Sequence, residues 1–228
     1  MNTKKCYAKN YCKMYSTSKC NERCDFWWKL NNIYNKSNLP VRYRYDIPLR
    51  PELSDRQSFT QLKGFMDNVV ERVENGDSLY IYSGTTGNGK TTWSSKIMNM
   101  YIRKIVAKSD LEDEVLYLNV SLFVEAMRNQ YSEYSDDIAT LKERAMNCKL
   151  LILDDIGAER PSEYVCERLY DLINHRYTNM LSTIYTSNLT PIELGDRLGA
   201  RIESRVRSAE QVKLAPAIFP INFYGAAA

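Results

Sequence analysis

A run rich in glycine and threonine in the first half of the chain has the composition of a phosphate-binding loop. It follows the apolar stretch 78–83, which predicts a strand, and it precedes apolar residues at helical spacing over 93–105. The run matches the G-x4-G-K-[ST] pattern in full and comprises Gly84, Thr85, Thr86, Gly87, Asn88, Gly89, Lys90, Thr91 and Thr92. Its glycines allow positive φ values that turn backbone N–H groups toward phosphate oxygens. We therefore predict a nucleotide site in which Lys90 contacts the β- and γ-phosphates and the Thr91 hydroxyl binds Mg²⁺.

Two adjacent carboxylates follow an apolar run later in the chain. The run 150–153 contains only leucine and isoleucine, as is typical of a parallel strand buried on both faces, and Asp154 and Asp155 come directly after it. Ligands bind at the carboxyl ends of the strands in open α/β sheets. We predict that Asp154 holds Mg²⁺, directly or through water, and that Asp155 orients or deprotonates the attacking water. The alternative is that the two acids only cap the strand.

Strands and helices alternate through the rest of this region. Apolar and β-branched runs predict strands at 115–119 and 182–186, and apolar residues at intervals of three and four predict a helix over 59–73. This helix should end at Asn75-Gly76-Asp77, which is a strong turn signal. Alternation of this kind is typical of α/β folds with right-handed crossovers. We therefore predict a nucleotide-binding domain over residues 56–228, built on a doubly wound, mainly parallel sheet.

Four of the six cysteines lie close to the start of the chain, as Cys6, Cys12, Cys20 and Cys24. Thiols stay reduced in the cytosol, so this spacing favours a closed tetrahedral Zn²⁺ site over a disulfide framework. We predict a small zinc-binding head over residues 1–30. Four free cysteines in a loose tail, or disulfides in an oxidising compartment, are the alternatives.

Aromatic and basic residues surround these cysteines. The first 50 residues carry eleven Lys or Arg against three acids, although the whole chain has a net charge of only +3. Aromatic faces and cations together suit single-stranded nucleic acid, but the same residues suit a protein groove or a small core of the head itself. Three prolines, Pro40, Pro48 and Pro51, predict a linker or extended strap over residues 31–55.

The composition excludes several classes of protein. A hydrophobic fraction of 44% and a charged fraction of 26% are ordinary for a globular domain, which excludes disorder throughout. No apolar run reaches the roughly 18 residues of a membrane-spanning helix, and the lysine-rich start lacks the apolar core of a secretory signal. We therefore expect no membrane association and a cytoplasmic location.

The order of four sequence segments resembles a known group of ATPases. GTTGNGKT, LLILDDIGAE, TSNL and RLGARIESR occur in that order, and residues 39–215 are similar to the AAA+ ATPases, specifically to the bacterial and phage helicase loaders DnaC and DnaI and their transposition relative IstB. The resemblance implies the AAA+ fold. The chain ends soon after the predicted last strand at 211–214, so we expect no separate C-terminal helical lid.

The resemblance also implies roles for three further residues. Asn188 matches the sensor 1 position between the nucleotide and the catalytic water, although it could instead cap the helix that begins near Thr190. Arg205 matches best the arginine that reaches the nucleotide of an adjacent subunit, and Arg201 is the second candidate. An arginine acting in this way requires a homo-oligomer that assembles through the ATP site. DnaI also has a cysteine-rich head, which agrees with zinc here.

The resemblance implies a function in DNA replication. We expect an ATP-dependent loader that binds single-stranded DNA and a replicative hexameric helicase, with slow hydrolysis of ATP to ADP and phosphate as the switch, stimulated by DNA or a partner. ATP, Mg²⁺ and a structural Zn²⁺ are the expected cofactors. An IstB-type transposition ATPase and a nucleotide-gated scaffold with negligible turnover are the alternatives.

Overall fold

The computed structural model describes residues 6–18, 20–21, 24–45, 55–108, 114–129, 136–158 and 162–215. Within these ranges the fold is one parallel sheet with helices on both faces. The five strands are β1 Leu79–Tyr82, β2 Val115–Asn119, β3 Leu150–Asp154, β4 Ser182–Ser187 and β5 Glu210–Lys213. Their spatial order is β2-β3-β4-β1-β5, and every neighbouring pair is parallel. The predicted α/β fold with a parallel sheet is therefore confirmed.

The order of the strands determines which loops lie next to each other at the carboxyl ends of the strands. Strand β4 lies between β1 and β3, with Ile184 level with both Leu79 and Ile152. Because all five strands run in the same direction, their carboxyl ends lie along a single edge. The segments that follow β1, β3 and β4 therefore come together there.

Nine α-helices complete the described part of the chain. They are α1 Asp25–Lys36, α2 Arg56–Asp67, α3 Val69–Glu74, α4 Lys90–Ile105, α5 Val120–Asn129, α6 Asp136–Asn147, α7 Glu163–Thr178, α8 Pro191–Leu198 and α9 Ala200–Arg207. A short 3-10 turn spans Val41–Tyr43. The single helix predicted over 59–73 is wrong in one respect: it breaks at Asn68 into α2 and α3.

Alternate residues of the strands form two separate hydrophobic cores. Leu79, Ile81, Ile152 and Val212 pack with buried residues of α1 to α4 on one face. Tyr80, Leu151, Leu153 and Tyr185 pack with residues of α5 to α9 on the other. Strands buried on both faces explain why their sequences are almost continuously apolar. The two cores are those of a doubly wound sheet.

A helix near the N-terminus packs in the first of these two cores. Helix α1 spans residues 25–36, although no helix was predicted there and the predicted linker was to begin at residue 31. Its Leu30, Ile33 and Tyr34 are buried in the same core as Ile97 of α4. The prolines Pro48 and Pro51 of the predicted linker lie outside the described residues.

Among the described residues, no helix combines the length and the apolar character needed to cross a bilayer. Strand β5 ends at Lys213, and positions beyond 215 lie outside the described residues, so the absence of a lid stays a prediction.

Candidate nucleotide-binding site

The glycine-rich loop connects the end of β1 to the first residue of α4. Gly87 and Gly89 have φ values of +79° and +88°, as predicted for a loop that turns its N–H groups inward. A Cβ atom at either position would meet no heavy atom within 4 Å, so backbone conformation, not crowding, accounts for these glycines. Gly89 is the N-cap of α4, which directs the positive end of the helix dipole into the loop. The geometry is that of an anion-binding site.

Lys90 is the first residue of α4 and is 8% exposed. Its Nζ donates hydrogen bonds to the backbone oxygen of Thr85, at 2.8 Å, and to Oδ1 of Asn88, at 3.0 Å. Burial lowers the pKa of the Lys90 ammonium, while the carboxylates of Asp155 and Asp154 oppose this shift. The cation is thus held by neutral oxygens of its own loop, which phosphate oxygens can replace.

Asp154 is the most heavily hydrogen-bonded acid of the site and is 5% exposed. The Thr91 hydroxyl lies 3.0 Å and 3.2 Å from its two oxygens. The Thr186 hydroxyl donates to Oδ1 at 2.7 Å, and the Tyr117 hydroxyl donates to Oδ2 at 2.7 Å. The fold therefore brings together Thr91 and Asp154, the two predicted Mg²⁺ ligands. A hydroxyl and a carboxylate at this separation are oxygen ligands of the kind that Mg²⁺ uses beside phosphates.

Asp155 lies beside this pair in a strained backbone conformation. Its φ is +61°, which is uncommon for a residue other than glycine but is tolerated by Asp and Asn. Its N–H donates to Oγ1 of Thr186 at 2.9 Å, so Thr186 supports both acids. Burial raises the pKa of the Asp155 carboxyl, the charge of Asp154 raises it further, and Lys90 lowers it. A carboxylate made more basic in this way is suited to orienting or deprotonating a water.

Asn188 contacts Asp155 directly. Its Nδ2 donates to Oδ1 of Asp155 at 3.2 Å, and its own Oδ1 is buried without a hydrogen-bond partner among the described residues. The alternative role as a helix cap is wrong, because Thr190 is the N-cap of α8 and forms a capping box with Glu193. The Oδ1 atom of Asn188 is thus available to accept a hydrogen bond from a group next to Asp155.

The two candidate arginines of α9 both stack on tyrosine rings of α7. The Arg201 guanidinium stacks over the ring of Tyr170, with 4.3 Å to the ring centroid. Arg205 stacks over Tyr177 at 4.9 Å, and its Nε donates to Oδ1 of Asn174 at 3.0 Å.

The surroundings of Arg205 place it far from the phosphate loop of its own chain. Arg205 lines an open cleft of about 640 Å³ together with Asp77, Ser78, Thr183 and Glu210. These residues lie just before or at the beginning of β1, β4 and β5. The cleft is therefore at the edge of the sheet opposite the phosphate loop.

Sequence reasoning missed two residues that hold Asp154, Tyr117 and Thr186. Thr186 lies two residues before Asn188, so its position at a strand end was a usable signal. Tyr117 is an aromatic residue in an apolar strand and resembles an ordinary core residue in sequence. Only the pairing of β2 with β3, which sets Asn119 level with Asp154, brings its hydroxyl to the carboxylate.

The predicted zinc site finds no support in the structure. The described residues contain no group of three or more His, Cys, Asp or Glu placed to hold a metal ion, and all six cysteines are free thiols. Cys24 instead caps α1, where its Sγ accepts a hydrogen bond from the N–H of Trp27 at 3.4 Å. Burial raises the pKa of the Cys6 thiol, against a lowering backbone hydrogen bond at Ala8, and the charges of Cys20, Cys12 and Cys24 raise it further.

The parallel sheet, its phosphate loop and the acids at the same edge define a P-loop ATPase domain. The chain belongs to the family of the bacterial DnaA ATPase domain, whose model matches residues 60–213. The expected resemblance to the AAA+ helicase loaders DnaC and DnaI is also confirmed by individual relatives.

Three similar proteins illustrate this relationship. The replicative helicase loader DnaC of Escherichia coli K12 is 23% identical over 185 residues, which are 78% of this chain and 70% of DnaC. The replicative helicase loader DnaI of Bacillus subtilis 168 is 32% identical over 140 residues, which are 60% of this chain and 40% of DnaI. A structure described as replication initiator DnaA bound to AMPPCP and single-stranded DNA aligns with a TM-score of 0.59 at 20% identity, covering 74% of this chain and 49% of that one.

The raised pKa of Asp155 predicts a stability effect. A folded-state pKa above the ordinary value means that the ionised carboxyl destabilises the nucleotide-free fold at neutral pH, and that this penalty fades as the pH falls through the raised pKa. The variant Asp155→Asn keeps the side-chain oxygen that accepts the hydrogen bond from Asn188, and asparagine tolerates a positive φ. We expect it to be more stable than the wild type in urea unfolding at pH 7.5, with a higher midpoint concentration of urea. The difference should shrink at pH 4.5.

Asp196→Asn, on the exposed face of α8, is the matched control and should change little at either pH. If Asp155→Asn were no more stable than the wild type at pH 7.5, the raised pKa of the Asp155 carboxyl would be contradicted.

Proposed function

We propose that this chain is an ATPase that loads a replicative hexameric helicase onto single-stranded DNA. The observation that carries the proposal is the contact between the Thr91 hydroxyl and Asp154, at 3.0 Å, at the end of a complete phosphate loop. The names of the relatives DnaC and DnaI, both replicative helicase loaders, support the biological role.

ATP would bind with its phosphates inside the loop of Gly84 to Thr92, where the N–H groups and the start of α4 stabilise negative charge. Lys90 would leave the oxygens of Thr85 and Asn88 and contact the β- and γ-phosphates. Thr91 and Asp154 would hold Mg²⁺. When bound, this ion offsets charge on the phosphate oxygens.

Hydrolysis would use the pair formed by Asp155 and Asn188. The attacking water would be held by the Asp155 carboxylate and by Oδ1 of Asn188, which has no hydrogen-bond partner among the described residues. Asp155 accepts the proton from this water or orients it. Lys90 stabilises the charge that develops on the transferred group.

The arginines of α9 support assembly of several copies. Arg205 lies at the edge of the sheet opposite the phosphate loop, so it is better placed for a neighbour's nucleotide than for its own. Stacking on Tyr177 holds its guanidinium in a defined position. We propose Arg205 as the residue that acts in trans, with Arg201 as the second candidate.

Binding of single-stranded DNA is proposed from the relatives. The similar DnaA structure contains both AMPPCP and single-stranded DNA, and the chain shares its fold. We expect slow turnover that bound DNA or the helicase accelerates, since a loader requires a timed change of state.

The partner can be identified by copurification. Tagged Asp155→Asn, which should bind ATP but hydrolyse it slowly, is expressed in the natural host, purified with ATP and Mg²⁺, and its partners are identified by mass spectrometry. We expect a hexameric replicative helicase, and we expect the phosphate-loop variant Lys90→Ala to lose it. Recovery of a transposase in its place would favour the transposition ATPase. Equal recovery of the helicase by Lys90→Ala would favour a scaffold that does not depend on the nucleotide.

The trans arginine can be tested by mixing two inactive variants. Arg205→Ala should lower the ATPase rate by about 10³-fold or more while nucleotide binding remains. Lys90→Ala should lose nucleotide binding but still supply its arginine. Mixed oligomers should regain a rate above that of either variant alone. Arg207→Ala, which removes an exposed guanidinium paired with Glu203, is the control and should stay close to the wild type.

Absence of any recovery on mixing would contradict action in trans. Recovery with Arg201→Ala but not with Arg205→Ala would assign the role to Arg201.

A further inference from the structure

Tyr117 contacts both the proposed Mg²⁺ ligand Asp154 and Ser37, at the end of α1. Its side chain is 7% exposed and belongs to the same core as α1 and α4. Its hydroxyl donates to Oδ2 of Asp154 at 2.7 Å, while Thr186 donates to the other oxygen. Thr91 touches both oxygens and is itself a proposed Mg²⁺ ligand. Tyr117 and Thr186 are thus the two supporting contacts that set the orientation of the carboxylate.

The backbone of Tyr117 makes a second contact, away from the site. Strand β2 is an outer strand of the sheet and, among the described residues, pairs only with β3. On its other side, the Tyr117 N–H donates to the backbone oxygen of Ser37 at 2.7 Å. Ser37 is the C-cap of α1 and is fully buried. One residue therefore contacts the end of α1 through its N–H and the proposed metal ligand through its hydroxyl.

Helix α1 is held in this position by polar contacts of its own. The Ser37 hydroxyl donates to the backbone oxygen of Tyr34 at 2.9 Å. The Tyr34 hydroxyl donates to Oδ1 of Asn99 on α4 at 3.0 Å, and Nδ2 of Asn99 donates to the backbone oxygen of Tyr43 at 2.6 Å. Asn99 is 4% exposed, and its bond to Tyr34 is buried while its bond to Tyr43 is partly buried. These bonds fix α1 and the turn after it to the helix that starts at the phosphate loop.

We propose that Tyr117 is a positioning residue that orients Asp154 for Mg²⁺ and makes this orientation depend on the docking of α1. The inference rests on the proposed nucleotide site. A side chain that donates a hydrogen bond to a metal-binding carboxylate restricts the orientations of that carboxylate, and loss of such a contact typically weakens metal affinity by about 10- to 100-fold. Displacement of α1 would remove the contact at the Tyr117 backbone and shift the hydroxyl away from Asp154. A partner that moves α1 would then change Mg²⁺ binding without touching the site.

The test measures Mg²⁺ affinity and not turnover. The full chain is saturated with a non-hydrolysable ATP analogue, Mg²⁺ is titrated, and binding is followed by calorimetry. Binding of the analogue in EDTA is measured in parallel. We expect Tyr117→Phe to weaken Mg²⁺ affinity by about 10-fold or more while analogue binding in EDTA is unchanged.

Tyr101→Phe is the matched control. Tyr101 is 2% exposed in the same core, but its hydroxyl makes no contact with Asp154, so its loss should leave Mg²⁺ affinity unchanged. An equal loss in both tyrosine variants, or unchanged Mg²⁺ affinity in Tyr117→Phe, would overturn the positioning role.

Tyr34→Phe tests the link to α1, because it removes the bond to Asn99 far from the metal ligands. We expect a smaller loss of Mg²⁺ affinity that disappears when Tyr117 is already Phe, since both changes act through one contact. No loss in Tyr34→Phe, or an equal loss in both backgrounds, would overturn the link. If the wild-type chain itself bound no analogue, the proposed function would fail before this inference was reached.

Discussion

The hydrogen bonds from the Thr91 hydroxyl to the Asp154 carboxylate join the two halves of the proposed site. One residue belongs to the helix after β1, the other ends β3, and 63 positions of sequence separate them. They meet because every strand of the sheet runs in the same direction and β4 fits between β1 and β3. Thr186, at the end of that intervening strand, then bonds to Asp154 and to the N–H of Asp155. The order of the strands therefore determines the geometry of the acids.

This arrangement stabilises a site that is unfavourable without its ligand. Lys90 and Asp154 are buried, and the partly buried Asp155 holds a strained φ of +61° beside a second carboxylate. Such strain persists where the surrounding structure fixes it, as the Thr186 hydroxyl does here by accepting a hydrogen bond from the N–H of Asp155. A bound triphosphate with its cation would supply the charges that the nucleotide-free site lacks. The stability of the site should therefore depend strongly on whether a nucleotide is bound.

The sequence was informative where the chemistry is local. The phosphate loop occupies consecutive positions with a fixed pattern, and the apolar run before Asp154 marks a buried strand, so both could be predicted with their neighbours. The position of β4 between β1 and β3 could not, because strand order is a long-range property. Helix α1 was missed because its residues were divided between the predicted head and the predicted linker, although Leu30, Ile33 and Tyr34 are spaced as on one face of a helix. Tyr117 was missed because its role depends on strand register. The zinc prediction rests on the proximity of four cysteines in sequence, and the described residues contain no group placed to hold a metal ion.

The central claim is that the loop after β1 and the acids after β3 bind a triphosphate together with Mg²⁺. Isothermal titration of the folded chain with ATP, with and without Mg²⁺, tests it most directly. We predict one nucleotide site per chain, tighter binding with Mg²⁺ than without it, and loss of binding in Lys90→Ala at unchanged fold. No uptake of ATP by the folded wild-type chain, or uptake that Lys90→Ala leaves unchanged, would contradict the account.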